Sequence, residues 1–146
     1  MNYTQWYKWG NRKNLPNKNE YGTYYIAHTP FDIEGQEFEW NNCIVYIGES
    51  NSQKGVDGRL DQFEKAMNGK DNLHGGAERV RYQHNDADLF FSNAYVALCT
   101  FAPNINDAED WRQKGKVRAH EYYSIAYYLE MYGELPQFNN PKSKKK

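Results

Sequence analysis

Two short runs constrain this chain more than any other part of it: Tyr21-Gly22-Thr23-Tyr24-Tyr25-Ile26 and, about twenty residues later, Ile44-Val45-Tyr46-Ile47-Gly48-Glu49-Ser50. Both are rich in the β-branched and aromatic residues that suit a pleated, half-buried strand. Each also places tyrosine close to glycine, so pairing the two strands would bring the phenols of Tyr24 and Tyr46 together beside bare backbone at Gly22 and Gly48. The connection between them, Pro30 to Asn42, holds Gly35 and several acidic residues, which predicts an antiparallel hairpin of Gly22–His28 with Cys43–Gly48. Half-buried tyrosines are ordinary in strands, and this chain has 13 of them. Either tyrosine alone reads as core.

Helical spacing follows the hairpin. Val56, Leu60, Phe63 and Met67 mark one face of a helix over Val56–Asn68, with Gly69 placed to end it, and Arg59 lies within it. Gly75-Gly76 opens a short helix or loop through Tyr82, preceded by His74. Ala94–Phe101 reads as a third strand, stopped before Pro103. A last helix begins at Asp107 or Val117 and ends at Tyr132, with Gly133 as its stop. Tyr122, Ile125, Ala126 and Leu129 form its expected apolar stripe; Glu121 falls at the edge of that stripe and His120 on the opposite side. Asn139 sits between Pro136 and Pro141.

Tyr24, Tyr46, Arg59, Glu121 and Asn139, in this order and context, resemble the GIY-YIG nuclease family across roughly residues 20 to 140. Tyr46-Ile47-Gly48 reproduces the second signature, and Gly22-Thr23-Tyr24 departs from the first only by a β-branched threonine. Arg59 follows Gly48 by eleven residues, close to the family spacing. The family often carries histidine four residues after this arginine, where this chain has Phe63; that function is absent or supplied from elsewhere, with His74 the candidate. The resemblance implies a small α/β (α+β) domain with a three-stranded, mainly antiparallel sheet flanked by helices. It also implies roles. Tyr24 would take a proton from the attacking water and Tyr46 would orient that water or touch the phosphate. Arg59 would face the scissile phosphate, Glu121 would be the sole carboxylate on Mg²⁺ or another divalent cation, and Asn139 would support the site by hydrogen bonding. The compact form resembles stand-alone phage or restriction-type members.

Charge bears on the implied DNA partner. Residues 1–19 hold four basic residues and no acidic one, and residues 142–146 hold four lysines, which leaves ten basic against nineteen acidic residues and a net of −9 between them. Nucleic-acid affinity comes largely from neutralising phosphates, so an acidic body needs its basic ends. Lys8, Arg12 and Lys13, interleaved with Trp6, Tyr7 and Trp9, and Lys142, Lys144, Lys145 and Lys146 are the expected DNA contacts, although such a lysine tail also reads as a solubilising appendage. Residues 1–19 are accordingly a basic aromatic lead-in, 20–141 the domain and 142–146 a basic tail.

Mean hydropathy is −1.03 while 16% of residues are aromatic, so aromatic rings must supply much of the buried area. No apolar run is long enough for a membrane span, and the first residues lack the apolar segment of a signal peptide, which predicts a cytoplasmic protein with no membrane partner. Cys43 and Cys99 lie in strand-like runs without zinc-type spacing. The reading of the sequence is a metal-dependent endonuclease acting on double-stranded DNA; an RNA-directed nuclease differs only in substrate, and nothing here reads a 2′-hydroxyl. The alternative is a catalytically inactive binding or interaction module of the same fold. Oligomeric state stays open, a homo-oligomer included.

Overall fold

The computed structural model describes residues 2–70 and 74–142. Strands β1 (Tyr7–Lys8), β2 (Tyr21–His28), β3 (Ile44–Ser50) and β4 (Ala94–Phe101) form one antiparallel sheet in the order β1-β4-β2-β3. The helices are α1 (Gly55–Met67), α2 (Gly75–Gln83), α3 (Ala87–Ser92) and α4 (Asp107–Tyr132), with 3₁₀ turns at Trp9–Asn14 and Gln137–Asn139. The architecture is mixed α/β. Among the described residues no helix is long and apolar enough to cross a membrane.

The expected hairpin is present, and β2 lies in the middle of the sheet between β3 and β4. Both of its edges are therefore paired, and each of its faces packs against a core, which is why all but its last residue are buried. Side chains alternate across a strand. Tyr24 and Ile26 point into a core with Leu60 and Phe63 of α1, Val80 of α2 and Phe90 of α3. Tyr25 and Ala27 point into a second core with Ile47, Tyr95 and Tyr128 of α4. Cys99 is buried there and Cys43 is half-buried; both are free thiols.

Three expectations change. The sheet has four strands, because Tyr7–Lys8 pairs with Val96 and Tyr95 of β4; two residues are too short to show alternation in a sequence. The lead-in is also part of the folded core and not a free DNA-binding arm. Trp6 and Trp9 are each 2% exposed, one in each core, so neither ring is available for stacking on a base. Arg12, 8% exposed, is drawn in with them: its guanidinium lies 5.0 Å from the Trp9 ring and bonds Asp61 and Glu64 of α1 at 3.2 and 3.0 Å.

The third change concerns α4. Its buried residues are Val117, His120, Ser124 and Tyr128, whereas Tyr122 is 62% and Leu129 42% exposed. The helix is thus rotated away from the stripe that apolarity alone marks. Specific hydrogen bonds hold it there: Tyr25 and Ser124 share one at 2.8 Å between hydroxyls, and His120 Nδ1 lies 3.0 Å from the Thr23 hydroxyl. Asn106 caps the helix by accepting the Glu109 N–H, and Gly133 ends it in the left-handed conformation.

Because Trp9 fills the core between α1 and α3, replacing it should cost what a large buried aromatic does. Trp9→Ala is expected to lower unfolding stability by about 3–5 kcal/mol in a denaturant titration, marking the first residues as part of the folded unit. A loss below about 1 kcal/mol would mark them as an appendage.

Candidate functional site

The register of the hairpin sets the site. Tyr24 pairs with Gly48 and Ile26 with Tyr46, so both tyrosines lie on the same face, their rings 6.1 Å apart. Gly48 is needed there: a Cβ at this position would overlap the Tyr24 ring and hydroxyl. Gly76, in the first turn of α2, does the same for Tyr46, whose ring occupies the space a Cβ would take. Gly22 meets the Cys99 carbonyl oxygen at 2.7 Å from an added Cβ, which keeps β2 close to β4. The glycines of both runs are therefore points of close approach.

Arg59 stands half-buried on α1 and donates to the Gln62 amide oxygen at 2.7 Å. Its charge acts on Tyr24, Tyr46, His74 and Glu121. Glu121, from α4, acts in turn on both phenols. Beside Arg59 an open groove of about 240 Å³ is lined by Glu49, Ser50, Asn51, Ser52 and Gln62. Two larger clefts of about 400 Å³ lie elsewhere, one against Tyr128 and Glu134, the other against His28 and His84, and neither includes any of the expected catalytic residues.

Asn139 is placed by the last 3₁₀ turn. Its amide donates to the Ile47 carbonyl and accepts the Ile47 N–H, both at 2.8 Å, like one more rung of a sheet. It thereby holds β3 between Tyr46 and Gly48. His74 is wholly buried. Its Nε2 lies 2.7 Å from the Tyr24 hydroxyl, and Nδ1 accepts the Ala77 N–H at 3.2 Å, capping α2. Phe63, at the position where histidine was expected, packs edge-on against the His74 ring at 4.9 Å. An imidazole thus reaches Tyr24 from α2.

Electrostatics differ from expectation at the phenols. Burial raises Tyr24 well above the ordinary tyrosine value, with the neighbouring Tyr46 adding to it and Arg59 opposing. Tyr46 is raised by burial and by Glu121, again against Arg59. Burial, with the charges of Arg59 and Arg79, lowers His74 to about 3, so its ring is neutral. Glu121 is raised to about 7 by burial and by the charge of Glu49, opposed by Arg118 and Arg59.

Three residues at this site carry no assigned role in the sequence reading. Glu49 directly follows Gly48, and strand alternation turns it toward α4. Its Oε1 lies 3.7 Å from the Arg118 guanidinium and its Oε2 is buried without a hydrogen-bond partner. Arg118, three residues before Glu121, is visible as its helical neighbour. Arg79 of α2 donates to the Phe138 carbonyl at 3.1 Å, and nothing local in the sequence points to it.

The donor set suits a hard divalent cation. Glu121 carries oxygen ligands, Glu49 presents an orphaned buried carboxylate oxygen beside it, and two repelling carboxylates gain from a shared positive charge. Among the described residues no group of three or more His, Cys, Asp or Glu is assembled for a metal, so water and substrate oxygens would complete the shell.

The expected DNA-binding residues are dispersed. Lys13 bonds Asp57 and Asp61 at 3.0 and 2.8 Å, joining Arg12 in an ion cluster on α1. Lys8 lies 3.7 Å from Asp32, and Lys142 is exposed. Lys144, Lys145 and Lys146 lie outside the described residues. Against known proteins, no family model, no curated protein and no solved structure matches this chain.

A carboxyl raised to about 7 in the folded state binds its proton more tightly there than in the unfolded chain. Stability from this group is present below the unfolded value near 4.5 and is lost as pH rises through about 7. In the absence of divalent cations, Glu121→Gln should therefore be more stable than wild type at pH 8, with the gap closing toward pH 4.5. Denaturant midpoints at the two pH values check this; equal midpoints at pH 8 would contradict it.

Proposed function

We propose that this protein is a metal-dependent endonuclease of GIY-YIG type that hydrolyses DNA phosphodiester bonds. The observation that carries the reading is convergence. Tyr24, Tyr46, Arg59 and Glu121 come from β2, β3, α1 and α4, and their side chains act on one another at the rim beside Gly48. Asn139 fixes that rim from a fifth element.

Each residue has a role that follows from its chemistry. Arg59 offers a planar fork of donors to non-bridging phosphate oxygens, where negative charge grows in the transition state. Tyr46, half-buried, presents a hydroxyl that orients the attacking water against phosphorus, with the fully buried Tyr24 beside it. With its phenol held protonated by burial, Tyr24 acts as a base only when a substrate-bound site adds positive charge to that of Arg59. Glu121 would hold the cation, Mg²⁺ in the simplest case, with Glu49 beside it. Such a cation supplies Lewis-acid polarisation of a phosphoryl oxygen. Its binding requires the Glu121 carboxylate, so affinity is expected to rise with pH up to about 7.

DNA would approach over the groove that joins Glu49 to Arg59, with Arg118 at its edge and the exposed Lys142 farther along the chain. One observation favours the other reading, a binding module without catalysis: Lys8, Arg12 and Lys13 are engaged by the protein's own carboxylates, which leaves fewer cations for a polyanion. Cleavage separates the two readings.

Supercoiled plasmid incubated with the protein should be nicked or linearised with Mg²⁺ and left intact with chelator. Glu121→Gln and Arg59→Ala should each lower the rate by about 100-fold or more with the fold retained by circular dichroism. Wild-type protein that binds DNA and never cuts it under these conditions would support the binding module.

A further inference from the structure

His74 occupies a position that does two things at once. It is the N-cap of α2, with backbone angles of −122° and 100°, and its Nδ1 accepts the Ala77 N–H at 3.2 Å. An accepting nitrogen carries no proton. Neutral imidazole has one proton, which must then sit on Nε2, the nitrogen 2.7 Å from the Tyr24 hydroxyl. The alternative charge state is disfavoured by what surrounds the ring: Phe63 packs edge-on at 4.9 Å, Tyr46 lies 5.7 Å away, and the charges facing it are those of Arg59 and Arg79, both positive.

We infer that His74 is a positioning residue for Tyr24: by capping α2 through Nδ1 it is locked as an Nε2–H donor to the phenol oxygen, which turns the proton of Tyr24 away from His74 toward the rim. The helix cap thereby sets the direction of a hydroxyl fifty residues earlier in the chain. The inference rests on the nuclease reading for its consequence, since the rim is where Tyr46, Arg59 and Glu121 act on Tyr24. The same geometry excludes His74 as the group that takes a proton from Tyr24. Its two ring nitrogens are already committed, one as acceptor from backbone and one as donor to the phenol. A phenol that loses its proton to the rim keeps the His74 N–H as a hydrogen bond to the developing charge, alongside Arg59.

Two substitutions divide the cap from the phenol contact. His74→Asn keeps an oxygen suited to the N-cap and is too short to reach Tyr24. His74→Gln extends an amide N–H toward Tyr24 while capping less well. The first measurement needs no turnover: ¹⁵N shifts of the His74 ring should show Nε2 protonated and Nδ1 bare from pH 5.5 to 8.5. A ring protonated on Nδ1, with Tyr24 donating to Nε2, would overturn the inference. In cleavage assays His74→Asn should fold normally and lower kcat by about 10- to 100-fold, the equivalent of one hydrogen bond to a charged group, with KM little changed. His74→Gln should recover part of that rate, and His74→Asn should cost nothing more in a Tyr24→Phe background. Wild-type rates in His74→Asn, or equal losses with and without the Tyr24 hydroxyl, would reduce His74 to a cap. If the wild-type protein cuts no DNA, the nuclease reading fails, and the nitrogen shifts still decide the direction of the hydrogen bond.

Discussion

The ring of Tyr24 crosses the backbone of β3 where Gly48 has no side chain, and the rest of the site is arranged around that contact. A single added carbon at Gly48 would overlap the phenol. With the ring in place, its hydroxyl lies within reach of His74 from α2 and Arg59 from α1, while the edge position of β3 leaves room for Glu121 to act from α4. Tyr46 repeats the device against Gly76. Two tyrosines therefore sit in backbone gaps and so share one rim, and Asn139 clamps the strand between them.

The rim is assembled at a cost to the fold. Glu121 is half-buried near the like charge of Glu49, whose own Oε2 lacks a partner, and both phenols are held in their neutral form by burial. Like charges held close together and partly withdrawn from water cost stability, and groups perturbed in this way cluster at functional sites. A divalent cation between carboxylates and a phosphate beside Arg59 would relieve each strain in turn. The conformational stiffness of the surroundings serves the same end: the site rests on strands and helices packed into two cores, with loops contributing only the groove wall at Asn51 and Ser52.

Much of this was legible in the sequence because it is encoded by local pattern. The hairpin, the α1 face of Val56, Leu60 and Phe63, and the strand Ala94–Phe101 follow from spacing and composition, and all three are present. What was illegible depends on partners far apart in the chain. On α4 the buried side chains His120 and Ser124 are polar, and only Thr23 and Tyr25 across the sheet make their burial favourable. Apolarity alone therefore selects the wrong face. Arg12 reads as a free cation until Asp61 and Glu64 are folded against it. His74 is a candidate by sequence without a location, and its place is fixed only when it caps α2 with Tyr24 2.7 Å away. Glu49 was visible beside Gly48, yet its relation to Glu121 appears only when α4 packs across β3.

The central claim is that the rim beside Gly48 is a cation and phosphate site built on Glu121. Crystals grown without metal, soaked in Mn²⁺ and measured for anomalous scattering, test it most directly. The account predicts a peak bound to a Glu121 carboxylate oxygen at about 2.1–2.3 Å, on the side facing Glu49 and Arg59, and no peak there in Glu121→Gln. Occupied manganese sites elsewhere on the protein, with none at Glu121 at pH 8, would contradict it.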